Sequence, residues 1–455
     1  MNRSILTSVM LLTFFALTGC ATFNPPSNKA VSRIPARDQS YGLHRAHGGD
    51  LGSNLVFLTF SGGGTRAAAL AYGVLKELKN TSVLSKNKRI RLLDDIDSIS
   101  AVSGGSFTAA YYGLFGDRIF EDYESKFLKR SIQGFLIQKL FHPSYWLRSI
   151  FSGFDRTEMA IEYYDDNIFE GKTFNDIALA HRPHIEINAT NLGTASRFAF
   201  TQLQFDTICS DLMSVNVARA VMASSAVPIL FTPVVLTNYA GACDSQENLT
   251  IKNIRRTEHA GPRMVEMKER LDRYQERDNH PYIHLVDGGV SDNLGSRSTT
   301  ERLDAYHAGT YDMFGRNYPD NILMITVNAE VDAKLGVDKV PDKPSLGDTL
   351  EAYTKTQMEI FNKETEIVLE KRLEELRQDL EKKGHAAEIF SVSVDFKSIR
   401  GESLKKNMNT LPTSLQLSSD EIDEIVEVGQ DVLRRNDAFR AFLTKTQGHS
   451  MDSVQ

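Results

Sequence analysis

Two glycine-rich turns lie about forty residues apart near the start of the chain, each between an apolar run and a helical segment. The apolar runs are residues 55–60 and 96–102, and the turns read Ser-Gly-Gly-Gly-Thr-Arg at 61–66 and Ala-Val-Ser-Gly-Gly at 101–105. Glycine permits a sharp turn, and the bare N–H groups at the start of a helix can hold an anion. Two strand–turn–helix units in succession indicate a βαβ arrangement and a parallel sheet.

The remaining pattern extends this alternation of strands and helices. Residues 282–286, 322–327 and 390–396 are typical of strands, whereas 346–383 and 420–445 have a helical pattern of apolar residues. We therefore predict an α/β fold with three α/β/α layers, a mostly parallel central sheet and a helical C-terminal elaboration. Because a strand follows the long polar helix, we predict one domain over residues 51–445, with its motif core at 52–330 and its helical extension at 345–445.

The composition narrows the class of partner. Hydrophobic residues make up 41% and charged residues 24% of the 455 residues, which is typical of a globular protein. The formal net charge of −7 argues against nucleic acid as a partner, because a phosphate backbone requires a basic surface. No motif places His, Asp or Cys at the spacing of metal ligands, and no Gly-Lys-Ser/Thr follows the first turn. We therefore expect no metal and no cofactor, and the composition identifies no protein partner.

The N-terminus has the features of a secretory signal. Arg3 precedes the apolar stretch 5–17, which is too short for a typical membrane span, and Leu-Thr-Gly-Cys follows at 17–20. This ending resembles the lipobox of bacterial lipoproteins, which implies a signal peptide over 1–19 and a lipidated Cys20. Ala21 fits sorting to the outer membrane, at its periplasmic face or at the cell surface. The alternatives are an ordinary cleaved signal or a short anchor that contains a cysteine.

The sequence after the signal predicts a flexible tether to the membrane and a disulfide between two cysteines. Residues 20–50 are polar and rich in turn formers, so we predict a flexible tether. If Cys20 is lipidated, Cys209 and Cys243 remain as a pair in an oxidising compartment, where they can form a disulfide. Two unrelated buried thiols are the alternative.

Ser103 is the candidate nucleophile. It directly follows the apolar run 96–102, and Ala101 and Gly105 are small, as the tight turn around a nucleophilic serine requires. A helix-capping serine is the alternative, and Ser106 competes for either role.

The first turn is the candidate oxyanion hole, because preorganised N–H groups stabilise the negative oxygen that develops in acyl transfer. Its backbone offers candidate donors at Gly62, Gly63, Gly64 and Thr65. Arg66 follows at once, and it either pairs with a substrate phosphate, steadies the loop, or is an ordinary surface arginine.

Asp287 is the candidate general base. It ends the apolar run 282–286 and precedes two glycines, which would bring its carboxylate to the sheet edge where both turns lie. We expect Asp292 to cap the next helix. A histidine base is the alternative, although strand alternation points His284 to the opposite face from Asp287.

These three motifs, in this order, resemble those of the patatin-like phospholipases, and SGGG-x-R is similar to the form in the cytosolic phospholipase A2 branch. The segments Ile-Asn-Ala-Thr at 187–190 and Ala-Ser-Ser-Ala-Val-Pro at 223–228 resemble the family as well. The resemblance covers roughly residues 52–330 and implies a Ser103–Asp287 dyad without histidine, with oxyanion donors at Gly63 and Gly64. Two departures are Ala101, where the family has glycine, and Ser61, where plant patatins have aspartate.

We therefore expect a lipid acyl hydrolase that cleaves carboxylic ester bonds of phospholipids or lysophospholipids through an acyl-serine intermediate, with membrane lipids as substrate and anchor. A non-catalytic lipid-binding envelope lipoprotein and an esterase acting on soluble short-chain esters are the alternatives. The aromatic and apolar segment 132–154 is either an amphipathic lid or a helix pair packed on the core.

Overall fold

The computed structural model of the chain describes most of the residues after the N-terminal segment. The described residues are 28–34, 41–43, 52–140, 142, 154–180, 183–228, 230–244, 249–256, 261–314, 318–331, 343 and 345–450. The predicted signal peptide and Cys20 lie outside them.

A mostly parallel sheet forms the centre of the molecule, in the order β10-β9-β1-β4-β5-β8-β7, with β6 beside β5. The strands of this sheet are β1 (Asn54–Phe60), β4 (Ile96–Val102), β5 (His184–Asn191), β6 (Ser196–Phe200), β7 (Val234–Thr237), β8 (Tyr282–Val286), β9 (Asn321–Asn328) and β10 (Glu388–Asp395). A separate antiparallel sheet consists of β2 (Thr81–Ser85), β3 (Lys88–Arg91) and β11 (His449–Ser450). Strands β10, β9, β1, β4 and β5 are parallel, whereas β8 is antiparallel to β5 and to β7. The predicted fold class is confirmed.

Helices cover both faces of this sheet. They are α1 (Gly64–Lys79), α2 (Gly104–Phe115), α3 (Ile119–Tyr123), α4 (Ile132–Leu140), α5 (Arg156–Tyr164), α6 (Phe174–Leu179), α7 (Gln202–Thr207), α8 (Val217–Ser225), α9 (Leu249–Arg256), α10 (Pro262–Gln275), α11 (Gly289–Asp292), α12 (Arg297–His307), α13 (Leu346–Lys382), α14 (Glu402–Met408), α15 (Ser419–Arg435) and α16 (Asp437–Lys445). Within the described part of the chain, no helix combines the length and the apolar character needed to cross a bilayer.

The alternation of side chains along β1 explains the two cores. Val56 and Leu58 belong to the larger core on one face, and Leu55 and Phe57 belong to a second core on the other. A strand buried on both faces is apolar at every position, as in other parallel sheets. The apolar stripe of α13 packs into the second core through Leu369, Leu373, Leu376 and Leu380, so this helix packs on the protein's own sheet.

Helix α15 approaches α1 closely on the opposite face. A Cβ atom at Gly73 would lie 2.3 Å from the carbonyl oxygen of Val426, and one at Gly429 would lie 2.7 Å from the carbonyl oxygen of Leu70. Helix α15 therefore packs directly on α1, the helix that follows the first glycine turn. The helix predicted over 420–445 is divided at Asn436, whose side chain accepts hydrogen bonds from the first turn of α16.

The tether predicted over residues 20–50 is not free along its whole length. Residues 28–34, here called the strap, lie on the domain, where Asn28 Oδ1 accepts from the N–H of Thr237 and Asn28 Nδ2 donates to the carbonyl oxygen of Thr237, both at 2.8 Å. Tyr41 is buried, and its hydroxyl bonds both the N–H and the carbonyl oxygen of Ile185. Buried side chains thus fix two stretches that composition alone suggested were flexible.

A disulfide joins the two segments that carry the strap. The sulfur atoms of Cys209 and Cys243 are 2.06 Å apart, with 5.6 Å between their Cα atoms. Val31 donates its N–H to the carbonyl oxygen of Cys209, and the N–H of Asp244 donates to the carbonyl oxygen of Ser32. The crosslink therefore fixes the surface on which the strap lies.

Candidate active site

The two glycine turns are in contact. A Cβ atom at Gly104 would lie 1.9 Å from the carbonyl oxygen of Gly64, and one at Gly105 would lie 2.7 Å from the carbonyl oxygen of Ser61. Only glycine fits at either position. Ser103, between β4 and α2, has a φ of +48°, which is rare outside glycine and is the strained conformation expected of a serine at a strand-to-helix turn.

Ser103 and Asp287 form a hydrogen-bonded pair. Ser103 Oγ donates to Asp287 Oδ2 at 2.8 Å, and Asp287 Oδ1 accepts the N–H of Gly289 at 2.8 Å. Both side chains are largely buried. Burial raises the pKa of Asp287 from 3.8 to about 6, while the hydrogen bonds from Gly289 and Ser103 oppose this rise. Near neutral pH the carboxylate is therefore mostly ionised and can accept the serine proton.

The strand register brings the pair to one level of the sheet. Val102 pairs with Asn188, and Val286 pairs with Thr190, so the residues that follow each strand meet beside Ala189. Asp287 follows β8, which is antiparallel to β5 and lies beyond the carboxyl end of β4. Strand β8 runs back towards that end, so Asp287 lies close to Ser103. The direction of β8 does not follow from the sequence motif.

Ser224, in the last turn of α8, supports both members of the pair. Its Oγ accepts the N–H of Ser103 at 2.8 Å and donates to the carbonyl oxygen of Asn188 at 2.6 Å. Its carbonyl oxygen accepts the N–H of Gly288, and the carbonyl oxygen of Ala226 accepts the N–H of Asp287, both at 3.0 Å. Sequence reasoning did not assign these residues to the site, although segments 187–190 and 223–228 were the signal that could have found them.

The structure separates the four candidate oxyanion donors into two pairs. The N–H of Gly62 donates to the carbonyl oxygen of Asn293, and the N–H of Thr65 donates to that of Ser414, both at 2.9 Å. The N–H groups of Gly62 and Thr65 therefore already have acceptors within the protein. Among the described residues, no acceptor takes the N–H of Gly63 or Gly64, which leaves these two as the candidate donors to a substrate oxygen.

Arg66 holds the turn in place. Its side chain is buried, and Nε donates to the carbonyl oxygen of Ala329 at 2.9 Å. Nη1 donates to the carbonyl oxygen of Leu411 at 2.6 Å, and Nη2 donates to Thr413 Oγ1 at 3.3 Å. Burial lowers the pKa of Arg66 to about 10, so the guanidinium is still charged at neutral pH. Of the three roles considered, the structure favours steadying the loop, because the guanidinium is directed at protein acceptors and not at a substrate phosphate.

Residues 411–414, here called the brace, complete this support. The carbonyl oxygen of Ser414, which accepts the N–H of Thr65, would lie 2.3 Å from a Cβ atom at Gly64. Gly64 has a φ of +62°. Both the conformation and the close approach therefore require glycine there. The brace and Asn293 carry no recognisable sequence signal, because they reach the turn only through the fold.

The competing residues have other partners. Ser106 is fully buried, and its Oγ donates to the carbonyl oxygen of Ser103. Asp292 is buried, and its Oδ2 accepts the N–H of Arg297 at the start of α12, although the N-cap position of that helix is Ser296. His284 is exposed on β8. Among the described residues, no group of three or more His, Cys, Asp or Glu side chains is placed to hold a metal ion.

The segment suggested as a lid is described only in part. Residues 132–140 form α4, in which Leu136 is buried and Ile137 is exposed. Residues 143–153 lie outside the described residues, so the choice between a lid and a packed helix pair stays a prediction.

Comparison with known proteins gives a family match and one structural likeness. The family model described as patatin-like phospholipase matches residues 58–298, a little over half of the chain. No curated protein sequence matches. Human GIVD cytosolic phospholipase A2 is a similar solved structure, with 14% identity and a TM-score of 0.46 over 94% of this chain and 69% of that one.

Proposed function

The chain belongs to the patatin-like phospholipase family, and on that premise we propose that it cleaves carboxylic ester bonds of phospholipids or lysophospholipids through a Ser103–Asp287 dyad. Family membership supports lipid acyl hydrolysis in general. The observation that carries the finer proposal is the 2.8 Å hydrogen bond from Ser103 Oγ to Asp287 Oδ2 in a buried site at the carboxyl edge of β4.

The geometry supports a two-step mechanism. Ser103 Oγ attacks the ester carbonyl carbon and transfers its proton to Asp287, while the N–H groups of Gly63 and Gly64 stabilise the negative oxygen. Asp287 then gives the proton to the departing alcohol, which leaves an acyl-Ser103 ester. In the second step Asp287 takes a proton from water, whose oxygen attacks the acyl carbon, and Ser103 regains its proton as the fatty acid leaves.

We also propose that the protein is a lipoprotein anchored through Cys20 in a bacterial outer membrane, with membrane lipids as substrate. The Leu-Thr-Gly-Cys segment at 17–20 supports this proposal, and the Cys209–Cys243 disulfide suits an oxidising compartment. Labelling with a fatty acid analogue tests it. Label should enter the wild-type protein and not a Cys20→Ser variant.

The activity is tested with a fluorophosphonate probe and with phospholipid vesicles whose products are identified by mass spectrometry. Ser103→Ala should lose both probe labelling and release of fatty acid, and Asp287→Asn should lose hydrolysis. Asp292→Asn is the matched control, because it removes a second buried carboxylate that does not contact Ser103. Wild-type rates in the Ser103→Ala variant would refute the dyad.

The two other functions remain distinguishable by the same experiments. A lipid-binding lipoprotein without catalysis would show no labelling that depends on Ser103. An esterase for soluble substrates would hydrolyse short-chain monomeric esters faster than long-chain lipids in vesicles.

A further inference from the structure

Exposed apolar side chains surround the edge of the sheet at which Ser103 and Asp287 meet. We infer that this rim rests on the surface of the lipid bilayer in which Cys20 is anchored, so that the anchor and the catalytic edge face the same membrane. The inference deepens the proposed function and rests on it for the anchor and the substrate. The rim consists of Leu192, Val227, Leu230, Tyr282 and Val290.

The members of the rim are strongly exposed for their type. Their relative exposures lie between 38% for Val227 and 58% for Leu230 and Val290. Val290 lies three residues after Asp287, and Val227 directly follows Ala226, whose carbonyl oxygen holds the N–H of Asp287. The apolar surface therefore begins next to the reacting groups.

Leu230 follows Val227 by three residues, and strand register places Leu192 and Tyr282 farther out on the same side. Ser103 and Asp287 lie at the level of Ala189, and Leu192 follows three residues later, at the turn between β5 and β6. Tyr282 begins β8, five residues before Asp287. At about 3.3 Å per residue, Leu192 and Tyr282 lie roughly 10 and 17 Å beyond the reacting groups. Leu192 and Tyr282 are therefore exposed apolar side chains on the outer side of the site.

The strap brings the N-terminal chain to the same side. Asn28 is buried, and it is bonded to Thr237, which pairs with Tyr282 at the outer end of β7 and β8. Cys20 lies eight positions before Asn28, and eight residue steps span at most about 28 Å. The lipid chains on Cys20 therefore enter the bilayer close to the rim. A bilayer surface is the partner that fits both the exposed apolar rim and the nearby lipid anchor.

Insertion of tryptophan tests the contact without using activity. The full-length lipidated protein is placed in phospholipid vesicles with brominated acyl chains, after Trp146, the single tryptophan, has been replaced by phenylalanine. In this background, Leu192→Trp and Tyr282→Trp should each lose fluorescence on contact with the brominated lipid. Leu179→Trp is the matched control, since Leu179 is at least as exposed as Leu192 and Tyr282 but ends α6, before the opposite end of β5.

Charge substitution gives a second readout. Leu192→Asp combined with Leu230→Asp should slow hydrolysis of vesicle lipids by an order of magnitude, because two apolar side chains no longer enter the interface. Hydrolysis of a monomeric short-chain ester should be unchanged, and Leu179→Asp should change neither rate.

The outcomes separate this inference from the proposed function. Equal quenching at positions 192 and 179, or none at 192 and 282, would overturn the contact even if hydrolysis is intact. Quenching confined to the rim in a protein that hydrolyses neither substrate would support the contact and refute the proposed enzyme.

Discussion

Replacing Asp287 by asparagine is expected to abolish hydrolysis and at the same time to stabilise the fold above pH 6. Burial raises the pKa of this carboxyl group from 3.8 to about 6 in the folded protein. A group that binds its proton more tightly when folded stabilises the fold at low pH, and this stabilisation is lost as the pH rises through 6. The wild-type protein therefore keeps an ionised carboxylate near pH 8 at the expense of stability.

The shift of about two pKa units corresponds to about 3 kcal/mol of unfolding free energy. Asparagine has nearly the same shape and no charge, so its amide can still accept the N–H of Gly289 and meet Ser103 Oγ. Between about pH 4 and pH 8, we expect the stability of Asp287→Asn relative to wild type to rise by about 2.5 kcal/mol.

Urea unfolding of the two proteins at both pH values measures this difference. Asp292→Asn serves as a control, because burial also raises the pKa of Asp292 to about 6. It should show a similar gain in stability and should keep hydrolysis, since the partner of Asp292 is the N–H of Arg297. Wild-type kcat/KM should rise with pH around 6. Two results together would refute the assignment of Asp287 as a desolvated base. They are a midpoint near pH 4 in the pH profile of wild-type kcat/KM, and the same pH dependence of stability in Asp287→Asn as in wild type.

Three further substitutions have distinct expected results. Replacing Cys209 and Cys243 by serine should lower the free energy of unfolding by about 4 kcal/mol, because their disulfide closes a 35-residue loop; denaturant titration measures it, and an unchanged midpoint would contradict it. Gly64→Ala should abolish hydrolysis, whereas Gly171→Ala, at a φ of +70° with open space around it, should lose only modest stability in a thermal scan. Arg66→Lys should lower kcat by roughly tenfold with little change in KM, because one ammonium cannot reproduce the three guanidinium contacts. Steady-state kinetics measures both constants, and equal changes in kcat and KM would oppose a positioning role.

The parts of the site that were predictable are those that local chemistry dictates. A serine at a tight turn requires small neighbours, so Ala101 and Gly105 make Ser103 a candidate nucleophile, and the glycine turn at 61–66 together with Asp287 distinguishes it from Ser106. Asp287 is visible because it ends an apolar strand before two glycines. The structure brings these two side chains within hydrogen-bonding distance.

The unpredicted parts depend on contacts between distant segments. Asn293 and Ser414 reach the first turn through backbone carbonyl oxygens, which every residue type has, so no residue pattern reveals them. The burial of Asn28 and Tyr41 was missed for a similar reason, because isolated polar and aromatic residues in a turn-rich stretch show no periodicity. The antiparallel direction of β8 likewise depends on strand pairing and not on composition.

The brace also makes the site depend on a segment that the ribosome synthesises late. Arg66 donates a hydrogen bond to Leu411 of the brace, and these two residues are 345 positions apart in the chain. At roughly 5 to 20 residues per second, a ribosome takes roughly 20 to 70 s to travel from one to the other. Ser103 and Asp287 are both made within that interval, before any residue of the brace exists. A chain that lacks the brace therefore holds its nucleophile and base without support for its donor turn, so full hydrolytic activity requires the C-terminal segment that contains residues 411–414.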